Sequence, residues 1–259
     1  MLLRGKSVIV SGIGPGLGKE AALALAREGA DLTIGARTES TLEQVAEEIR
    51  ALGAKVTTQR TDITKDDDCA KLVACAQDAY GRIDALVNNA FHPGTYRPFE
   101  KDDFENWKAP FEVTVLGSMR LSQATIPVMK AQQSGSIIMV NSMVMRHVLP
   151  TMGGYAASKA ALLAGTHALA REVGGYGIRV NTVVPGYIWG PSLEIYFKMQ
   201  AKAKSVTPQD IYDEVASNLA LGKIPTSAEI AGSIVFFASD LSIPITGASL
   251  DVNGGQVFH

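Results

Sequence analysis

Short runs of β-branched residues alternate with longer amphipathic stretches along almost the whole chain. That rhythm leaves few folds open, because a strand followed by a helical crossover returns parallel to its predecessor, in one sheet covered on both faces. SVIV reads as the first strand, and DLTIGA, VTTQR, IDALVNN, SIIMVNS, IRVNTVV and ASLDVNGG read as those that follow. Their near-continuous apolar runs suit strands buried on both sides. Between them, KEAALALAREG has Ala and Leu at helical spacing and stops at Gly29, and STLEQVAEEIRALG opens at Thr38 or Ser40 and stops at Gly53. KDDDCAKLVACAQDAYG, a long region from about Asp103 to Gln132, GGYAASKAALLAGTHALAREVGG and SAEIAGSIVFFAS supply the remaining crossovers. The pattern predicts an α/β fold: one doubly wound domain over residues 1–259, with a seven-stranded parallel sheet and helices on both faces.

Only Trp189 to Leu221 breaks the rhythm. WGPSLEIYFKMQAKAKSVTPQDIYDEVASNLAL reads as two short helices joined by Ser-Val-Thr-Pro, with Thr207 as cap and Pro208 at the first helical position. An insertion after a late strand sits over the crevice at the carboxyl edge of such a sheet, so residues 189–221 are expected to form a substrate lid.

A formal net charge of −2, with no run of Lys and Arg, gives no electrostatic reason to expect nucleic acid or an anionic membrane, and points to a small-molecule substrate. Cys69 and Cys75 lie six apart in a predicted helix, face different ways, and read as reduced thiols of a cytoplasmic protein. No stretch offers the roughly 18 apolar residues of a membrane span, and the opening MLLRGKSVIVSG is too briefly apolar for a signal peptide. His92, His167 and His259 have no ligand-like spacing, so no catalytic metal is expected, and His147 reads as a loop histidine, with a second proton donor as the alternative.

The first strand runs into SGIGPGLG, with glycines at 12, 14, 16 and 18, before a helix begins. Without Cβ atoms the chain turns tightly and brings backbone N–H groups up to an anion at the helix N-terminus; a pyrophosphate is the expected anion. In such a fold an acidic residue about 20 positions on binds the ribose 2′-hydroxyl of NAD, whereas arginine suits the 2′-phosphate of NADP. Ala36 and Arg37 stand there, which favours NADP(H), with NAD(H) as the alternative.

The spacing resembles the cofactor loop T-G-x-x-x-G-x-G of the short-chain dehydrogenase/reductase family, with Ser11, Gly12, Gly16 and Gly18 in place and serine for threonine. The likeness continues through Asp62, Asn88-Asn89-Ala90, Ser142, Tyr155-x-x-x-Lys159 and Pro185-Gly186, nearly the whole chain. It implies a Rossmann fold and an oxidoreductase that moves hydride between a nicotinamide and a carbonyl or secondary alcohol. The implied coenzyme contacts are Ser11, Gly12, Gly14, Gly16, Leu17, Gly18, Arg37, Asp62, Ile63, Asn89, Ala90, Tyr155, Lys159, Pro185, Gly186 and Ile188. Family members are commonly tetramers joined through the long helix before strand five and the helix carrying Tyr155, so a homotetramer is implied.

Tyr155 and Lys159 are one helical turn apart and share a face. A nearby ammonium favours phenolate; bringing a phenol from about 10 to neutrality takes about 4 kcal/mol, which the lysine together with the positive charge of an oxidised nicotinamide is expected to supply, and the tyrosine then exchanges a proton with the substrate oxygen. By resemblance Ser142 holds that oxygen and Lys159 also binds the nicotinamide ribose. Three positions depart from the family pattern: Thr114 fills the catalytic asparagine's slot in N-x-x-G, Phe91 replaces the glycine of Asn-Asn-Ala-Gly, and Gly190 stands where a carboxamide-binding threonine is often found, with Ser192 nearby as a substitute. Threonine is shorter and lacks the amide's paired donor and acceptor, which puts the proton relay behind Lys159 in question. These departures leave two alternatives: a nucleotide-binding regulator of weakened activity, and reduction of an activated C=C bond on the same scaffold. Met143, Val144, Met145, His147, Leu149 and Met152, with Tyr187, Trp189 and residues of the 189–221 insertion, are candidates for the wall of an apolar substrate pocket.

Overall fold

A computed structural model describes residues 1–258. Seven parallel strands form one sheet: β1 (Ser7–Ser11), β2 (Asp31–Ala36), β3 (Val56–Arg60), β4 (Ala85–Asn88), β5 (Gly135–Val140), β6 (Ile178–Pro185) and β7 (Ser249–Val252). Their spatial order is β3-β2-β1-β4-β5-β6-β7. Around them lie α1 (Leu17–Arg27), α2 (Glu39–Ala51), α3 (Asp66–Tyr80), α4 (Glu105–Pro110), α5 (Ser118–Gln132), α6 (Gly153–Val173), α7 (Pro191–Lys204), α8 (Pro208–Ser217) and α9 (Ser227–Ala238).

Successive residues of a strand point to opposite faces, and the core divides accordingly. Val8 and Val10 of β1 join Val87, Ile138 and Val183 in a layer closed by α1, α2 and α9. Ile9 turns to the other side, where Leu86, Ile137, Met139 and Val180 meet α3, α5 and α6. Because the crossovers leave β1 in one direction and β4 in the other, a crevice opens between these neighbours at the carboxyl edge of the sheet.

The long helical region predicted from Asp103 to Gln132 is not one regular helix. It resolves into α4, a π-helical turn over Phe111–Gly117 and α5. Pro110 has no amide to bond back into the preceding turn, and the ladder resets with a wider spacing beyond it. The last strand is shorter than ASLDVNGG, because the Asn253 side chain takes the N–H groups of Gly255 and Gln256 at 2.9 and 3.1 Å and turns the chain away. The Thr207 cap is present: its hydroxyl accepts the Asp210 N–H at 3.1 Å, and Asp210 accepts the Thr207 N–H at 2.8 Å. Thr38, and not Ser40, occupies the N-cap position of α2, without a side-chain bond.

Residues 191–217 have a small core of their own. Phe197 and Ala201 of α7 pack with Ile211 and Ala216 of α8 and with Leu219 and Ile224, and Tyr187, Trp189 and Tyr212 close this cluster from the side. Both cysteines are free, and no helix among the described residues is long and apolar enough to cross a membrane.

Candidate active site

The carboxyl ends of β1, β4, β5 and β6 frame three adjoining cavities. The first, about 330 Å³, is walled by Gly12, Gly14, Gly16, Leu17 and Gly18, by Asn89 and Lys159, and by Pro185, Gly186 and Ile188. A second, about 220 Å³, continues past Gly12 to Arg37, Asp62, Ile63 and Ala90. The third, about 360 Å³, lies beyond Ser142 and Tyr155 and is mostly apolar.

Two of the four glycines are required by the fold, and the other two face the first cavity. Gly12 has φ +82°, and a Cβ there would lie 2.4 Å from the Ala90 nitrogen. A Cβ on Gly18 would lie 2.3 Å from the Gly12 carbonyl oxygen and 2.7 Å from Asn89 Nδ2, which donates to that same carbonyl at 2.8 Å. Gly14 and Gly16 have nothing within 4 Å of such a Cβ, although both line the cavity. The loop is therefore held from behind and open in front, as a dinucleotide's pyrophosphate at the N-terminus of α1 requires.

This division separates two substitutions. Gly18→Ala forces backbone against backbone and is expected to cost roughly 1–3 kcal/mol of stability, read as a lower urea midpoint. Gly14→Ala is expected to leave that midpoint unchanged while weakening nicotinamide-coenzyme binding about tenfold or more in a fluorescence titration, since its methyl enters the first cavity.

Ser142 follows β5 directly, and its orientation is set by Asn141, which sequence reading overlooked. Asn141 Oδ1 accepts the Ser142 N–H at 2.9 Å, and its Nδ2 donates to the Lys159 carbonyl at 3.1 Å. A buried amide thus ties the end of β5 to α6, fixing the serine relative to Tyr155 and Lys159. Lys159 is 2 % exposed and donates to the Val140 carbonyl at 2.8 Å. Its ammonium stands 5.7 Å from the centre of the Tyr155 ring and 5.5 Å from that of Phe91. The Phe91 and Tyr155 rings lie 6.0 Å apart, and Phe91 lines all three cavities.

The protonation expected for this pair is reversed in the chain by itself. Burial pushes the Tyr155 phenol up to about 12, with the Ser142 hydrogen bond pulling the other way, and burial brings the Lys159 amine down to about 7. Desolvation disfavours each charged form, and it outweighs the lysine's help to a phenolate. The protein alone therefore holds Tyr155 as a proton donor.

Several predicted residues sit elsewhere. Thr114 is fully buried in the π-helical turn and lines none of the three cavities; its hydroxyl accepts the His92 N–H at 3.3 Å, which uses it to pin the segment after β4. Ser11 is buried too, its hydroxyl donating to the Val87 carbonyl at 3.3 Å, so it braces β1 against β4 behind the loop. Arg37 is exposed and shares the second cavity with Asp62. Burial alone would raise the Asp62 carboxyl, but the Thr64 backbone and hydroxyl bonds and the Arg37 and Lys65 charges hold it below the ordinary range. A carboxylate thus does face the arginine, although none adjoins it in sequence.

Met143, Val144, His147, Leu149 and Met152 line the third cavity with Tyr187, whereas Met145 does not and Trp189 packs inside the α7–α8 cluster. Gly190 and Ser192 line the first cavity. Ser192, Leu193 and Tyr196 bring the 189–221 segment to this wall as expected, whereas Tyr96 was not anticipated there. The stretch bearing Tyr96 is anchored by Asp102, whose carboxylate accepts from Thr95 at 3.1 Å, Asn106 at 2.9 Å and Trp107 at 2.9 Å. Among the described residues no cluster of three or more His, Cys, Asp or Glu side chains could hold a metal ion, and His259 lies outside them.

A family model described as enoyl-(acyl carrier protein) reductase matches residues 12–256. The chain is 34% identical over 260 residues to a 3-oxoacyl-(acyl-carrier-protein) reductase of Thermotoga maritima, covering 100% of both. Its structure is similar to that of NAD+-bound xylitol dehydrogenase, with a TM-score of 0.92 and 27% identity over 98% of this chain and 100% of that one. It is similar also to an actinorhodin polyketide ketoreductase with NADPH, with a TM-score of 0.90 and 26% identity over 97% of each. With the glycine loop, the Ser142–Tyr155–Lys159 cluster and the parallel sheet in the same chain, these likenesses have one conclusion: the protein belongs to the short-chain dehydrogenase/reductase family of nicotinamide-dependent oxidoreductases.

Proposed function

We propose that the protein interconverts a hydrophobic ketone or aldehyde and its alcohol, with NADP(H) as coenzyme. The observation that supports this most is that Ser142 and Tyr155 line both the glycine-loop cavity and the apolar cavity, so groups bound in the two meet at these hydroxyls. When bound, a reduced nicotinamide supplies hydride to the carbonyl carbon. Ser142 donates a hydrogen bond to the carbonyl oxygen, and Tyr155, kept protonated by burial, gives that oxygen its proton. Lys159 is the nearest cation to the phenolate left behind, and that negative charge draws a proton onto the amine, so the two titrate as a pair. Thr114, whose hydroxyl accepts from the His92 amide, positions the segment after β4.

The coenzyme preference rests on Arg37, the one basic side chain on the wall of the second cavity. Arg37→Asp is expected to shift the ratio of kcat/KM for NADPH over NADH by at least about tenfold toward NADH; an unchanged ratio makes Arg37 a solvated surface charge. Residues 189–221 act as the substrate lid, supported by Ser192 and Leu193, which border both the coenzyme and substrate cavities. The homotetramer is supported by a groove between α5 and α6 lined by Leu116, Met119, Ile126, Gly165 and Leu169, and a cytoplasmic location fits two free cysteines.

A second reading, reduction of an activated C=C bond, is favoured by the description of the matching family model. Incubation with NADPH and a panel of ketones, aldehydes and enones separates them. Alcohol products support the carbonyl reading, saturated ketones from enones support the second, and tight coenzyme binding with no oxidation on any compound leaves a nucleotide-binding regulator.

A further inference from the structure

We infer that the substrate is an uncharged ketone, or the matching secondary alcohol, whose carbonyl is borne on a frame of one or two rings. This rests on the carbonyl-reductase reading above and adds the shape and charge of the molecule reduced.

Size comes first. The apolar cavity holds about 360 Å³, while a dry cavity of roughly 150 Å³ is enough to take benzene. One or two fused rings therefore fit. Aromatic rings stand at both ends. At the inner end, shared with the glycine-loop cavity, Tyr155 stands beside Phe91, itself 53% exposed, their rings 6.0 Å apart and tilted by 52°. Tyr96 and Tyr196, from the segment after β4 and from α7, stand at the rim, 61% and 44% exposed. Aromatic faces gain most from a planar or near-planar ring laid against them, and the thioether of Met152 on the same wall adds a contact suited to ring edges. A flexible chain of equal volume gains the burial but not this geometry, and it gives up more rotational freedom.

Charge comes second. No Lys, Arg, Asp or Glu lines the cavity. The adjacent Arg146 is already engaged, paired with Asp251 and donating to Ser249 at 2.7 Å. His147, exposed at the edge, is the one group on this wall able to take a positive charge. A carboxylate or phosphate on the substrate would enter without a counter-charge, a cost that an uncharged molecule avoids. The polar atoms at the inner end, Ser142 and Tyr155, match a single carbonyl oxygen.

The test compares three compounds with NADPH at pH 8. They are 1-tetralone, its 6-carboxylate, and acetoacetyl-N-acetylcysteamine as a linear thioester. The expected kcat/KM for 1-tetralone exceeds each of the others by at least about 100-fold. Calorimetric titration of 1-tetralol into the protein saturated with NADPH, a pair that cannot exchange hydride, gives a dissociation constant that rises about tenfold in Tyr196→Ala, with NADPH affinity unchanged. Leu149→Arg, on the same wall, narrows the gap between the neutral and carboxylated tetralones by about tenfold or more. Equal or faster turnover of the carboxylate or the thioester overturns the inference and leaves carbonyl reduction standing. Bound coenzyme with no reduction of any carbonyl compound overturns the underlying reading and this one with it.

Discussion

Tyr155→Phe is expected to lower kcat/KM for carbonyl reduction by about three orders of magnitude or more, while the dissociation constant for NADPH changes by no more than a few-fold. One oxygen is removed and the ring stays, packed 6.0 Å from Phe91 on the helix that also carries Lys159. The unfolding midpoint should therefore hold or rise slightly, because a half-buried hydroxyl is replaced by hydrogen. Steady-state kinetics, a coenzyme fluorescence titration and a thermal melt on one preparation check the three parts. Retention of a tenth of wild-type activity would show that the proton comes from elsewhere. The pH dependence carries the same argument. With the phenol at about 12 the acid needed for reduction is in its protonated form from neutrality to beyond pH 10, so Tyr155 imposes no fall in reduction rate across that range.

Lys159→Met is expected to abolish most activity and, at neutral pH, to make the protein more stable. The amine falls from 10.5 in the free side chain to about 7 in the fold, solely through burial. A depressed folded value means that the unfolded chain binds the extra proton between pH 10.5 and 7, so this group's contribution to stability is lost as pH falls through that window and regained as it rises. The loss at pH 7 is of order 4–5 kcal/mol. Methionine matches the stem, carries no charge and forgoes the Val140 bond at 2.8 Å, which returns roughly 1–3 kcal/mol of the gain as an unpaired carbonyl. Urea unfolding at pH 7 and pH 10 should show the variant ahead by about 2 kcal/mol at the lower pH and behind at the higher. A variant less stable at both would mean that the lysine is already solvated or paired.

The sheet was readable because each strand is an apolar run between amphipathic segments, and parallel pairing with crossovers follows from that pattern alone. Glycine spacing located the coenzyme loop, and order along the chain located Ser142, Tyr155 and Lys159. What stayed hidden depends on contacts made across the fold. Nothing near Thr114 announces that the His92 amide, 22 residues away, will occupy its hydroxyl. Proline at 110 was visible, but a π-helical turn after it is a matter of packing against α6 and Ile63. A sequence displays the charge beside Tyr155 and conceals the burial that opposes it in the fold. Tyr96 and Tyr196, a hundred residues apart, meet at one cavity only after the sheet has brought the β4 and β6 ends together.

Phe197, Ile211 and Leu219 close on one another, apart from the two layers that flank the strands. Mutations that reshape residues 191–217 therefore leave the folding of the main scaffold largely alone. If the segment is the substrate lid proposed above, a different α7–α8 pair on the same sheet changes what is admitted without rebuilding how it reacts.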